Sequence, residues 1–248
     1  MTLLKYCLVT IRVGLNPADQ SRAFDTIVSS YEELASTALL TLHMEVRCRV
    51  VYSLRLVLSP EIAPYLLDQE VREPDPLILG LNSELVLFDE TVARYLPSKE
   101  VEFARTGLGR LINTYLITNA CIASPMNEKG CGRMQLNILV LQQNLKNVEK
   151  GVDLAQASNY YSLFEQGADA MIIRARRAKI ESGSPRETDP SETFTFEEYR
   201  ALVELCFSER MANPERGIAS AARRQMEEQL RGLEEQPRWT ASSSPTVG

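Results

Sequence analysis

Histidine is almost missing from this chain, with one residue, His43, among 248. That scarcity excludes H-E-x-x-H zinc sites and any multi-histidine metal cluster, and it leaves a single imidazole as base for a serine or cysteine nucleophile. His43 lies in "TLHMEVRCR" with Leu39, Leu40 and Val46 at neighbouring helical positions and no nucleophile motif beside it. It reads as a structural histidine at the edge of a packed seam. Cysteine is sparse too. Cys7, Cys48, Cys121, Cys131 and Cys206 are odd in number and scattered, and none makes a C-x-x-C pair, so neither a zinc ribbon nor a redox motif has a starting point. They read as free thiols of a reducing compartment.

Other absences narrow the class further. No uninterrupted apolar run reaches the roughly 18 residues of a membrane span. The opening "MTLLKYCLVTIRVG" is broken by Lys5 and Arg12 and lacks a small-residue cleavage site, so a packed helix carrying Leu4, Leu8 and Ile11 is expected there rather than a signal peptide. A soluble protein is the expectation. Positive charge is not in excess: the formal net charge of −6 opposes a whole-protein footprint for nucleic acid. Twelve glycines and twelve prolines are too few for a low-complexity chain. Convincing period-two alternation and Asn-Gly or Asp-Gly turns are missing as well, which removes the signals of a β-sheet.

What is there is helical periodicity. Phe24, Val28, Tyr31, Ala35, Ala38 and Leu42 step by four and three, and Val46, Val50 and Leu54 continue a neighbouring stripe. This predicts one long amphipathic helix or two in line, with Asn16 and Pro17 at the cap and first turn. Pro60, Pro64, Pro74 and Pro76 enforce a longer connection. Asp75-Pro76 opens a helix through Leu77, Leu81, Leu85, Phe88, Val92 and Tyr95, closed by Pro97. Ser98 can cap the next, through Phe103, Leu108, Leu111, Ile112 and Tyr115 to about Ala123, and its Gly107 and Gly109 let neighbouring backbones approach. A helix from about Asp153 to Ile180 turns Leu154, Ala157, Tyr161, Phe164, Ala168, Met171 and Ile172 inward. Thr195 to Glu198 is a capping box, with Phe194 and Tyr199 in hydrophobic-staple positions ahead of Leu202, Val203 and Cys206. Asn213-Pro214 starts a charged last helix to about Glu235.

The stretch "MQLNILVLQQNLKNV" is unlike the rest. Met134, Ile138, Leu141, Leu145 and Val148 form one seam, but Leu136, Leu139 and Val140 lie outside it. Its polar residues are almost all amides: Gln135, Asn137, Gln142, Gln143, Asn144 and Asn147, with Lys146 alone charged. A helix sandwiched between layers needs that composition, because a hydrogen-bonded amide is far cheaper to bury than a charge.

Chemistry finds little support. The pairs Glu32-Glu33, Asp89-Glu90 and Glu197-Glu198 are neighbours on helices, about 100° apart, and do not face a common substrate. "TGLGRL" lacks the third glycine and the preceding strand of a phosphate cradle. The densest basic cluster is Arg174, Arg176, Arg177 and Lys179, spread around a helix end. A helix dipole favours cations there without any partner, while a protein or anionic-lipid surface is the sharper alternative.

"SSYEELASTALLTLHMEVRCRVVYSL" (Ser29 to Leu54), "GLGRLINTYLI" (Gly107 to Ile117) and "MQLNILVLQQNLKNV" resemble, in order and separation, segments of the family of exocyst component four, the Sec-eight subunits. The pieces "LHMEVR" and "NILVLQQNL" are the most specific, and the resemblance runs roughly from Ser29 to Glu209. Family members are several times longer, so the chain looks like a piece from their C-terminal portion. The resemblance implies a subunit of a complex that tethers secretory vesicles to the plasma membrane before fusion. It further implies a mechanical role as a helical rod, without catalytic residues, cofactor or metal. Other exocyst subunits are the implied partners, with acidic membrane lipid a further candidate, and neither nucleic acid nor a small-molecule substrate is implied. The implied location is cytoplasmic, peripheral at the plasma membrane and secretory vesicles. A helical-repeat adaptor binding peptide or protein partners without a membrane role is the alternative.

The expected fold is all-α, an elongated stack of antiparallel helices. Residues 1–181 form a helical-bundle rod segment, 182–193 a flexible linker or loop, 194–236 a C-terminal helical pair, and 237–248 a disordered tail with Trp239 exposed. Two surfaces stand out as functional candidates, the proline-rich connection from Ser59 to Pro76 and the basic helix end.

Overall fold

The computed structural model describes residues 17–181 and 194–235, with side chains placed for these except 17–21, 23 and 176–181. The expected linker, the tail with Trp239, and the opening stripe of Leu4, Leu8 and Ile11 lie outside the described residues. Among the described residues the regular elements are helical, and the nearest approach to a strand is an isolated parallel bridge between Tyr65 and Met126. The all-α expectation holds.

Helix α1 runs Pro17–Leu58, 42 residues without an internal break, as the lack of proline and glycine within it predicts. The chain divides within α1 into a smaller unit, Met1–Glu45, and a larger one, Val46–Gly248. In the smaller unit the described part is this helix alone. Thr26, Ser30, Ser36, Thr37 and Thr41 turn their hydroxyls onto the carbonyls four residues back, so these side chains are satisfied locally. The stripe expected to pack is bare there: Phe24 and Tyr31 are exposed. An amphipathic stripe signals a helix, but it is buried only where another element covers it.

In the larger unit, Val46, Val50, Leu54, Val57 and Leu58 of α1 are buried. Helix α2 (Pro76–Tyr95) starts with Asp75 accepting from the Leu77 amide at 2.8 Å and Pro76 in the first turn. Helices α3 (Ser98–Arg105) and α4 (Leu108–Thr118) replace the single helix expected from Ser98 to Ala123. Gly107 takes φ 84° between them, a left-handed turn that glycine adopts without steric cost. Ser98 is the first residue of α3, with Pro97 at the cap position, so the expected serine cap is not made. A 3-10 turn, Ala120–Ala123, leads to α5 (Glu128–Val148), which Asn127 caps by accepting from the Gly130 amide at 2.9 Å.

The expected helix from Asp153 to Ile180 is likewise two, α6 (Ala155–Gln166) and α7 (Ala168–Glu181), divided at Gly167 with φ 83°. Its inward residues are nonetheless covered, with Leu154, Ala157, Tyr161, Phe164 and Met171 buried. Helix α8 (Phe196–Met211) carries the complete capping box: the Thr195 amide donates to Glu198 Oε2 at 2.7 Å and the Glu198 amide to Thr195 Oγ1 at 3.3 Å. The staple is present as an edge-to-face ring pair, Phe194 against Tyr199 at 5.7 Å. Helix α9 (Arg216–Glu234) packs on α8 and α7 and buries Ala222 and Leu233.

Helix α5 packs against α2 and α6. Ile138, Leu141 and Leu145 are buried, each worth about 1.5–3 kcal/mol relative to exposure. Phe103 and Tyr95, expected inward, are exposed, and Ile78 replaces Leu77 as the buried first-turn residue of α2. A single helix offers more than one apolar register, and the neighbouring helix selects among them.

Candidate interaction surface

The amides of α5 divide between its two neighbours. Toward α6, Gln135 Nε2 donates to Ser162 Oγ at 3.0 Å, while its Oε1 accepts from Ser158 Oγ at 3.3 Å. Gln142 clamps the turn before α6, donating to the Val152 carbonyl at 3.0 Å and accepting from the Leu154 amide. Toward α2, Asn144 donates to the Asn82 carbonyl at 3.3 Å. Asn137, 1% exposed, accepts from the Asp75 amide at 2.9 Å. Asn137, Gln142 and Asn144 each serve a backbone group that would otherwise be orphaned in a partly buried seam, and Gln135 serves two serine hydroxyls. These amides make α5 a strut between its neighbours, whereas Gln143 and Asn147 are exposed.

The proline-rich connection is anchored, too. Tyr65 is buried, donating its hydroxyl to the Val57 carbonyl at 2.9 Å and accepting from the Asn127 amide at 3.1 Å through its own carbonyl. Asn127 binds Leu67 on both sides, accepting from its amide at 3.3 Å and donating to its carbonyl at 2.8 Å. Arg133 donates to the Pro64 carbonyl at 3.1 Å, pairs with Asp75, and stacks over the Tyr65 ring at 5.7 Å. Backbone groups at Pro64, Tyr65 and Leu67 and the Asp75 side chain thus tie the connection to Asn127 and α5, while Glu61, Asp68, Gln69, Glu70, Arg72 and Glu73 are exposed. Ile62, Leu66 and Val71 are left on its outer side.

The described residues hold few groups poised for bond making. No cluster of three or more His, Cys, Asp or Glu among them could hold a metal ion. Burial pushes the Cys131 thiol up, and the Cys206 thiol to about 12, the direction that makes a thiol inert as a nucleophile. Burial also lifts the Asp89 carboxyl above its ordinary value, against the pull of the paired Arg105. Glu149 accepts from the amides of Gly107 at 2.5 Å and Gly109 at 2.8 Å, capping the start of α4, where a carboxylate offsets the helix dipole. The cavity beside it, about 430 Å³, is lined by Leu96, Val101, Glu102, Arg105, Thr106 and Glu149. A second groove of about 510 Å³ runs between α5 and the start of α6, over Leu139, Gln142 and Leu154. Both are shallow and mixed in polarity. His43 is half-buried on α1 and makes its own noncovalent interaction.

Of the basic helix end, Arg174 is half-buried on α7 and engaged with neighbouring groups. The side chains of Arg176, Arg177 and Lys179 lie outside the described residues. The structure adds what sequence reasoning missed, two separate sets of uncovered apolar side chains: Phe24, Ile27, Tyr31 and Leu34 on α1 in the smaller unit, and Leu79, Leu87 and Tyr95 on α2 in the larger. The signal was available in α2, where Leu79, Val86 and Leu87 occupy a second register opposite the buried one. No helix among the described residues is long and apolar enough to cross a membrane.

No family model matches the chain. Among curated proteins it is 54% identical over 240 residues to the probable exocyst complex component sec8 of Neurospora crassa, covering 86% of this chain and 22% of that protein. It is 30% identical over 148 residues to human exocyst complex component 4, covering 59% and 15%. The exocyst complex component sec8 of Schizosaccharomyces pombe matches at 27% over 163 residues, covering 64% and 15%. The chain thus spans about a fifth or less of the length of these relatives. That partial coverage fits the counterpart of a C-terminal portion.

Proposed function

Because this chain is homologous to the Sec8, or exocyst complex component 4, proteins over most of its own length, we propose that it acts as a segment of an exocyst subunit. In this reading it is a mechanical part of the apparatus that tethers secretory vesicles to the plasma membrane before fusion. The carrying observation is the 54% identity across 86% of the chain.

Two structural features support a mechanical role. Helix α5 is tied by side-chain amides to α2 and to the α6 region, and the connection from Ser59 to Pro76 is tied back onto α5, so the larger unit resists local bending. Its buried thiols and capped carboxylates serve packing rather than turnover. The segment makes and breaks no bond, and uses no cofactor. Its partners are other exocyst subunits. Its location is cytoplasmic, peripheral at the plasma membrane and on vesicles, where Arg174, Arg176, Arg177 and Lys179 meet acidic lipid headgroups.

Affinity capture tests this reading. The tagged protein, expressed in its own cells and recovered at physiological salt, should bring down several exocyst subunits together. Recovery without any of them would refute it.

A further inference from the structure

The exposed face of α1 has the form of half a coiled coil. Phe24, Val28, Tyr31, Ala35, Ala38 and Leu42 step by four and three, the spacing that keeps one seam facing a second helix. Phe24 is 42% and Tyr31 53% exposed, and Ile27 at 39% and Leu34 at 63% widen the seam along one edge. Asp25 and Glu32 occupy the opposite edge, both exposed. From Phe24 to Leu42 the stripe extends about 27 Å at 1.5 Å per residue. Phe24, Ile27, Tyr31 and Leu34 are exposed together, with Val28 and Leu42 half-buried beside them, which is more than scattered surface leucines and marks a protein-binding face. Farther along the helix, Val46, Val50 and Leu54 lie on a neighbouring stripe and are buried in the larger unit.

We infer that this face docks an amphipathic α-helix of another protein, with an aliphatic seam, one apolar edge and one edge of Lys or Arg. The seam sets the helical form, and Ala35 and Ala38 leave room for the partner backbone to come close. The edges set the chemistry. Asp25 and Glu32 call for cations opposite them, whereas Ile27 and Leu34 call for apolar side chains. A second copy of this chain does not meet those demands. Antiparallel pairing over the whole stripe sets Glu32 of one copy against Glu32 of the other and leaves Asp25 facing Leu39 instead of a cation. Parallel pairing sets them against Ile27 and Leu34. An anionic membrane is disfavoured by the same acids. The inference stands independently of membership in the exocyst.

The test uses the purified full chain and two synthetic helical peptides of about three heptads. Both have leucine in the seam and along one edge, and they differ in bearing lysine or glutamate on the other edge. Fluorescence anisotropy should show the lysine peptide binding, and the glutamate peptide binding at least about tenfold more weakly, because like charges across an interface cost affinity. Added salt should narrow the gap. Phe24→Glu with Tyr31→Glu should abolish binding while circular dichroism and the melting of the chain stay unchanged. Equal binding of the two peptides would overturn the proposal, as would retained binding by the double variant. Self-association of the chain that Phe24→Glu and Tyr31→Glu remove would overturn it in favour of a second copy. Lack of lysine-peptide binding until residues 1–16 are deleted would overturn it in favour of an internal cover.

Discussion

Arg133 on α5 and Asp75 at the start of α2 form an ion pair in which the carboxylate is 3% and the guanidinium 13% exposed. The pair joins three elements at once. Asp75 caps α2, its amide donates to Asn137, and Arg133 holds the Pro64 carbonyl and the Tyr65 ring. Breaking one side of such a pair leaves an uncompensated buried charge, which costs about 3–5 kcal/mol. Arg133→Ala should therefore lower the urea midpoint by that equivalent. Arg133→Met with Asp75→Asn, which strands no charge, should recover a large part of it. Equal losses in the single and double variants would contradict the role assigned to the pair.

Leu141 and Gly130 test the strut from two directions. Leu141 is fully buried, so Leu141→Ala should cost about 2–5 kcal/mol through lost burial and a residual cavity. A Cβ at Gly130 would stand 1.8 Å from the Tyr65 carbonyl oxygen, where backbone cannot yield as a side chain can. Gly130→Ala should then cost at least the roughly 1–3 kcal/mol typical of overpacking, although alanine is the better helix former. Thermal melts of both variants provide the check. Gly132, five residues into the same helix with open space around it, is the control: Gly132→Ala should be neutral or stabilising.

Most of the fold was legible, because its signals are local. Asp75-Pro76 and the Thr195–Glu198 box named their helix starts through side chains that reach the backbone beside them. The seam of α5 was legible for the same reason, and Gln135, Asn137, Gln142 and Asn144 pointed to its covered flanks, while Leu139, Gln143 and Asn147 are exposed. The breaks at Gly107 and Gly167 were not, since a glycine within a helical pattern is tolerated as readily as it ends one. Burial on α1 was not legible either. Phe24 and Leu54 belong to neighbouring apolar stripes of one unbroken helix, and their patterns alone do not separate the exposed residue from the buried one. For the candidate surface, sequence named charged and proline-rich segments, whereas the uncovered apolar face of α1 needed coordinates.

Stability should fall on the alkaline side. Burial raises the phenols of Tyr65, Tyr160 and Tyr161, and the thiols of Cys131 and Cys206, above their unfolded values. A raised group favours the folded state only while it stays protonated, so its contribution is complete below the unfolded pKa and shrinks above it. Unfolded thiols ionise near pH 8.5 and phenols near 10. The urea midpoint should thus start to decline past about pH 8.5 and steepen past about 10, by up to about 1.4 kcal/mol per pH unit for each group. Tyr161→Phe should start from a lower midpoint yet show a shallower decline. An alkaline slope unchanged by Tyr161→Phe would contradict the assignment.

Charge reversal of Arg174, Arg176 and Arg177 to glutamate examines the lipid contact. If the helix end meets acidic headgroups, binding to phosphatidylserine vesicles should drop, and added salt should weaken the parent protein likewise. Circular dichroism has to confirm the fold of the variant, because Arg174 is half-buried and engaged with neighbouring groups. Vesicle co-sedimentation unaffected by the reversal would reduce the cluster to a helix-end feature.

The most direct measurement replaces the matching segment of the Neurospora crassa sec8 protein with this chain, in the living fungus, and asks which proteins copurify with the chimera. As an exocyst segment at 54% identity, the chain should support a chimera that recovers the fungal exocyst subunits in the parent proportions and sustains hyphal growth. A chimera that is stable and abundant, yet recovers none of those subunits and leaves growth arrested, would contradict the account.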